Sequence, residues 1–113
     1  MSTIFNKIIN KEIDADIVYE DEISIAFKDI NAQAPIHLLI IPKKEIKTIN
    51  HITAKDKEII GHLFIVAKKI AKQLNIDNEG YRIVFNCNDN AGQTVFHIHM
   101  HLLGGRKLLW PPG

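Results

Sequence analysis

Apolar and polar positions alternate in short bursts along most of the 113-residue chain and switch once to a helical period. Residues 17–20, 23–28, 36–42, 81–86 and 95–102 are each rich in β-branched or aromatic side chains and are bounded by polar turns, which predicts five strands. Between the third and fourth the pattern changes. Ile59, Ile60, Leu63, Phe64, Val66, Ala67, Ile70, Ala71 and Leu74 recur at the 3.6-residue period and predict a long helix over 54–74. Thr53 can cap its start, Lys68, Lys69 and Lys72 suit its last turns, and the stretch 75–80 ends it. Near the start, apolar positions 4, 5, 8 and 9 predict a short amphipathic helix over 4–10. The expected fold class is α+β: an antiparallel five-stranded sheet with one long and one short helix, in a single domain over 1–113 without repeats or linkers.

The last predicted strand carries an unusual pattern. Phe96-His97-Ile98-His99-Met100-His101-Leu102 places three of the chain's six histidines at alternate positions. On a strand these imidazoles would share one face, with Phe96, Ile98, Met100 and Leu102 turned to a core. A lone histidine on a strand is ordinarily a satisfied structural residue, and His51 and His62, which lack partner motifs, read that way. Three in register beside a Gly-rich turn point to chemistry.

Two kinds of chemistry use aligned imidazoles. Zinc is the first, but along a regular strand His97 and His101 would lie about 13 Å apart, so an ion would need two of the three plus an outside ligand such as His37. Between Asn86 and Gly105 the only acid is Asp89, and Cys87 has no second cysteine to join it. The second is attack on phosphorus by a neutral imidazole whose other N–H is held by an acceptor. His99 has a histidine on each side, and the polar segment from Asn86 to Thr94 could offer donors to the same anion. Neither a phosphate-binding loop motif nor a carboxylate pair beside the histidines is present to recruit Mg²⁺, so the protein's own donors would neutralise the phosphate.

His97-Ile98-His99-Met100-His101-Leu102-Leu103 resembles the HxHxHxx signature, with x apolar, of the histidine triad (HIT) superfamily. The blocks Phe27-Lys28-Asp29-Ile30, Gln33 to Lys43, Gly80-Tyr81-Arg82, Gly92-Gln93-Thr94-Val95, Gly104-Gly105-Arg106 and Trp110-Pro111-Pro112-Gly113 are similar to its Hint branch, so the resemblance covers essentially the whole chain. It implies hydrolysis of purine nucleoside 5′-phosphoramidates, adenosine 5′-monophosphoramidate among them, releasing AMP and an amine through a nucleotidyl intermediate on His99. By the same resemblance His101 contacts the phosphate, His97 and His37 orient and relay protons, and Thr94 donates to the leaving nitrogen. Asp29 would bind the ribose hydroxyls, as a carboxylate facing two vicinal O–H groups can. Phe5, Ile8, Phe27 and Ile30 would line the base pocket, and Asn86, Gly92 and Gln93 would fall in the phosphate-side loop. A twofold homodimer is implied, its sheet extended across the interface, with the tail that bears Trp110 near the partner's site. His101 argues against the branch that has glutamine there and transfers nucleotides to sugar phosphates. Dinucleoside polyphosphate hydrolases share HxHxH, so that substrate class stays an alternative, as does a non-enzymatic zinc-binding or partner-binding role.

Composition narrows the picture a little. A formal charge of +1 with 24% charged residues gives no basic surface for nucleic acid, and the lysine pairs are scattered as on solvated faces. One cysteine fits a reducing compartment. The first dozen residues lack a long apolar run, so neither a signal peptide nor a membrane span is expected, and cytoplasmic residence follows. No cofactor and no metal are expected. At this length a partner's surface would add usefully to a modest core.

Overall fold

The computed structural model describes residues 3–113. A short helix α1 (Ile4–Ile9) precedes strands β1 (Ile17–Glu20), β2 (Ser24–Lys28) and β3 (Ile36–Pro42). Helix α2 (Lys57–Gln73) follows, then β4 (Tyr81–Phe85), a single-turn helix α3 (Asn88–Ala91) and β5 (Met100–Gly104). The strands form one antiparallel sheet in the order β1-β2-β3-β5-β4, so the last strand inserts between β3 and β4.

The two-residue alternation of the central strands separates two cores. Ala26, Leu38, Ile40, Met100 and Leu102 face α2 and pack on Leu63, Val66, Ala67 and Ile70. Ile25, Phe27, Leu39 and Ile41 point the other way and pack on Phe5 and Ile8 of α1. His37 has the parity of Leu39, and His101 pairs with Leu39 across the β3–β5 ladder, so both histidines belong to the α1 face. The long helix holds one side of the sheet while the short one roofs the histidine side.

Several predicted boundaries are corrected. The strand predicted over 95–102 is β5 over Met100–Gly104, and Phe96, expected in the core, is 40% exposed. Residues 95–99 leave the ladder because their polar groups find partners in the loop after β3. The Ile98 N–H donates to the Ile46 carbonyl at 2.7 Å, and the Gln93 amide donates to the carbonyls of Lys47 and Val95. The helix predicted over 54–74 starts at Lys57 because the Asp56 carboxylate accepts the Thr53 N–H at 2.9 Å and winds 54–56 into a 3₁₀ turn. Phe64 and Leu74, read as core positions, lie on the outer face of that helix. The polar turn expected after β4 contains α3, closed by Gly92 in the left-handed region at φ 83°. The remaining strand and short-helix bounds agree within one residue.

His51 and His62 are structural, as expected from their isolation: His51 Nδ1 pairs with Thr48 Oγ1 and His62 Nε2 with Asp21 Oδ2, each at 2.7 Å. Among the described residues no helix is long and apolar enough to cross a membrane.

Candidate active site

The α1 face opens into a cavity of about 540 Å³ whose apolar wall includes Phe5, Ile8, Phe27, Leu39 and Val95. Its polar end holds Asp29, Thr94, His99 and His101. That volume suits a nucleotide-sized ligand, and an apolar wall with a few convergent polar groups is the usual build of a small-molecule site. Of the expected pocket residues, Phe5, Ile8, Phe27, Asp29, Ile30, Thr94, His99 and His101 line the cavity. Ile30 does so with a fully exposed side chain. His37 and His97 stand one layer behind.

The hydrogen bonds fix the proton on each imidazole. His99 Nδ1 lies 2.8 Å from the His97 carbonyl oxygen, which can only accept. Nδ1 therefore carries the hydrogen and Nε2 carries a lone pair. His97 Nε2 likewise donates to the Pro42 carbonyl at 2.7 Å, leaving its buried Nδ1 without a partner. On the other side the Gln33 N–H donates to His37 Nδ1 at 3.0 Å, so in the neutral ring the hydrogen sits on Nε2. His37 Nε2 is 2.9 Å from His101 Nδ1, which accepts, and His101 then presents Nε2–H as a donor. One histidine at the cavity offers a lone pair and its neighbour a proton.

Burial keeps all four rings neutral at neutral pH. Desolvation pushes the pKa of His37, His97 and His99 below the usual imidazole value of 6.5. His101 is held down to about 4 by desolvation first and by the neighbouring His99 and His37, against the attraction of Asp29. The buried Phe5 ring stands edge-on to His99 at 5.1 Å and is part of that dry surface.

Asp29, 68 positions or more from the triad in sequence, reaches the cluster from just past the end of β2. Its Oδ2 lies 3.3 Å from His37 Nε2, and Oδ1 accepts the Asn31 N–H. Asp29, His37 and His101 thus bring three potential ligand atoms within 4.8 Å of one another, a carboxylate–imidazole grouping that local sequence did not show. The tautomer argues against an ion there. His37 Nδ1 already spends its lone pair on the Gln33 N–H, so the neutral ring has none left on Nε2 for a metal.

Three expected residues lie away from the cavity. Gln93 is buried, with its carbonyl oxygen accepting the Asn88 N–H and its amide bound to Lys47 and Val95, so it shapes the loop that presents Thr94. Gly92 ends α3, and Asn86 follows β4. Sequence reasoning missed Leu39, Ile4, Ile13 and Val95 in the wall. Leu39 was recoverable, since it alternates with His37 and Ile41 on one strand face; Ile4 comes from the start of α1, and Ile13 and Val95 are brought in by loops. Trp110 is 80% exposed in the single chain, with the Arg82 guanidinium 6.0 Å from its ring centre.

A roofed, histidine-lined cleft on this sheet defines a class, and comparison with known proteins agrees. The HIT domain model matches residues 10–108. An Escherichia coli protein named purine nucleoside phosphoramidase is 53% identical over 106 residues, covering 94% of this chain and 89% of that protein. An uncharacterized HIT-like protein from Synechococcus elongatus is 53% identical over 111 residues, 98% of this chain and 96% of its own. A solved HIT family hydrolase from Legionella pneumophila superposes with a TM-score of 0.98 at 52% identity, covering 99% of this chain and all of that one. A histidine triad protein from Clostridium difficile gives 0.93 at 43%, covering 96% and 95%. The chain belongs to the HIT family. Within that family it is an enzyme.

Proposed function

We propose that this chain hydrolyses purine nucleoside 5′-phosphoramidates to the nucleoside monophosphate and an amine. The supporting observation is the paired tautomer at the cavity: a lone pair on His99 Nε2 beside a donor on His101 Nε2. The base would lie against Phe5, Ile8 and Phe27, and the ribose hydroxyls would donate to Asp29. His99 Nε2 attacks phosphorus while His101 donates to a phosphoryl oxygen, and the P–N bond breaks. The leaving nitrogen takes the Thr94 hydroxyl proton, which solvent water replaces, and departs as the amine. The His97 carbonyl steadies the imidazolium that forms, because His99 Nδ1–H already points at it. Water then attacks the nucleotidyl-histidine, returns a proton by the same route and releases the monophosphate with His99 restored.

A homodimer belongs to the same proposal. Phe64 and Ile65 on the outer face of α2 are exposed, Phe64 lies 6.1 Å from Phe85 of the unpaired edge strand β4, and Trp110 is bare. A twofold partner covering α2 and β4 would extend the sheet and bury that surface. Cytoplasmic residence is proposed with it, on the unpaired Cys87 and the nucleotide substrate.

The test is AMP release from adenosine 5′-phosphoramidate in excess EDTA, beside a His99→Ala variant with a native circular-dichroism spectrum. Release by the parent and its loss in the variant support the reading. A folded parent that ignores the phosphoramidate and cleaves diadenosine polyphosphates would replace it with the alternative substrate class. A parent that cleaves neither and binds zinc through the histidines would make it a binding protein.

A further inference from the structure

Outside the cavity, the Gly104–Gly105–Arg106 turn that ends β5 makes an unusually complete grip on the loop between β2 and β3. Arg106 Nε and one Nη both donate to the Gln33 carbonyl, at 3.2 and 2.9 Å, and the other Nη donates to the Lys107 carbonyl. Such a fork fixes the orientation of the oxygen it holds as well as its distance. Gly105 closes the same contact from below: at φ 89° its missing Cβ would stand 2.9 Å from Pro35 Cβ. Within the loop, Asp29 accepts the Asn31 N–H and the Gln33 side chain donates to the Asn31 carbonyl. The gripped residue is the one whose N–H donates to His37 Nδ1.

We infer that Arg106 is a positioning residue for the His37–His101 pair. It never approaches the cavity and acts through Gln33. Holding the Gln33 carbonyl holds the residue's N–H on His37 Nδ1, which assigns the hydrogen to His37 Nε2, makes His101 Nδ1 an acceptor and leaves His101 Nε2–H facing the substrate. Released from the grip, His37 can take the other tautomer. Its Nε2 then accepts, His101 carries its hydrogen on Nδ1, and the nitrogen facing a phosphoryl oxygen becomes a repelling lone pair. The charged and titratable groups around His37 are Asp29 from the loop after β2 and His101 from β5, with His99 beyond His101.

This inference rests on the proposed phosphoramidase reading for its kinetic effect and not for its structural one. Arg106→Ala and Arg106→Lys are compared with Lys107→Ala, which removes the same charge from the same turn without touching Gln33. Long-range ¹H–¹⁵N NMR of the imidazoles, with no substrate present, should show the Nε2–H form of His37 in the parent and in Lys107→Ala. In Arg106→Ala it should show exchange between both forms. Turnover of adenosine 5′-phosphoramidate should fall about tenfold in kcat with KM nearly unchanged, less in Arg106→Lys, which keeps one donor. A single His37 tautomer that survives in Arg106→Ala, or an equal effect in Lys107→Ala, overturns the inference. Gly105→Ala, which presses on Pro35 from the same side, should reproduce the tautomer exchange where Arg106→Ala proves too unstable to study. If the parent shows no turnover, the phosphoramidase reading fails while the NMR result still decides the role of Arg106.

Discussion

Phe5 joins stability to chemistry, so Phe5→Ala should be felt in both. The ring is 5% exposed and stands edge-on to Phe27 at 5.5 Å, to His97 at 6.1 Å and to His99 at 5.1 Å. Removing a buried phenyl group costs about 3–5 kcal/mol, and a roof helix of six residues can settle partly into the gap, which places the loss near the lower figure, about 3 kcal/mol. For a domain of this length that corresponds to a fall in Tm of roughly 12 °C. The second effect follows from why His99 is neutral. Desolvation is the largest cause of its lowered pKa, ahead of the opposing bond to the His97 carbonyl and the pull of Asp29. A methyl group in place of the ring admits water, so the His99 pKa rises toward 6.5 and the nucleophile is lost to protonation at a higher pH. The acidic limb of kcat/KM should therefore move to higher pH in Phe5→Ala and move less in Phe5→Leu, which keeps most of the apolar volume. Profiles of the three proteins, taken well below each variant's melting temperature, decide the matter. A variant that melts lower while its acidic limb stays with the parent's would refute the claim that Phe5 keeps His99 dry.

Other perturbations read other parts of the structure. His37, His97, His99 and His101 have folded-state pKa values below 6.5, so the unfolded chain binds more protons; urea unfolding should show full stability above pH 6.5 and a decline as pH falls through the window that for His101 extends to about 4. A stability that is level across that window would contradict their neutral burial. Asp56→Ala removes the acceptor for Thr53 N–H and the partner of Lys44, and should lower Tm by about 5 °C, whereas Lys44→Ala leaves the cap intact and should shift it by less than about 2 °C. Equal shifts in the two melts would show that the ion pair, and not the cap, holds the start of α2. Deleting residues 108–113 should change selectivity among leaving amines more than it changes Tm, because Leu109 and Trp110 are exposed in the single chain; unchanged selectivity would count against a role for the tail beside a site.

Alternation and the single 3.6-residue stretch were enough to locate all five strands and both main helices, because burial on two sheet faces leaves a strong periodic imprint. The errors share one cause. Where a side chain competes for a backbone partner, as Asp56 does with Thr53 and Gln93 with Lys47, the element begins later than apolar residues alone suggest. Phe64, Leu74 and Phe96 broke the apolar-equals-core rule for a different reason: their exposure marks surface that periodicity cannot distinguish from core. In the site, the three aligned histidines were legible as a local motif. The approach of Asp29 to His101 and the Arg106 fork were not, because they join segments paired only by the β2-β3-β5 order, and the Gln33 N–H, four residues from His37, depends on a loop conformation that periodicity does not encode.

The late start of the histidine strand has a chemical consequence. In a regular interior strand the carbonyl of His97 would be engaged by a neighbouring strand, and successive same-face side chains would stand clear of the backbone. Here β5 begins only at Met100, so the His97 carbonyl is free to accept His99 Nδ1–H at 2.8 Å while the His97 ring reaches across to Pro42 of β3. Departure from the ladder is what gives His99 a fixed tautomer without a carboxylate behind it. His101, inside the strand, has no such carbonyl and takes its tautomer from His37 instead, which is itself set by Gln33. Two imidazoles two residues apart thereby reach the cavity with opposite hydrogen-bonding character. A triad held entirely in a strand would present three equivalent rings, and the break at Met100 is the feature that leaves one ring with a free lone pair toward the cavity and the next with a donor.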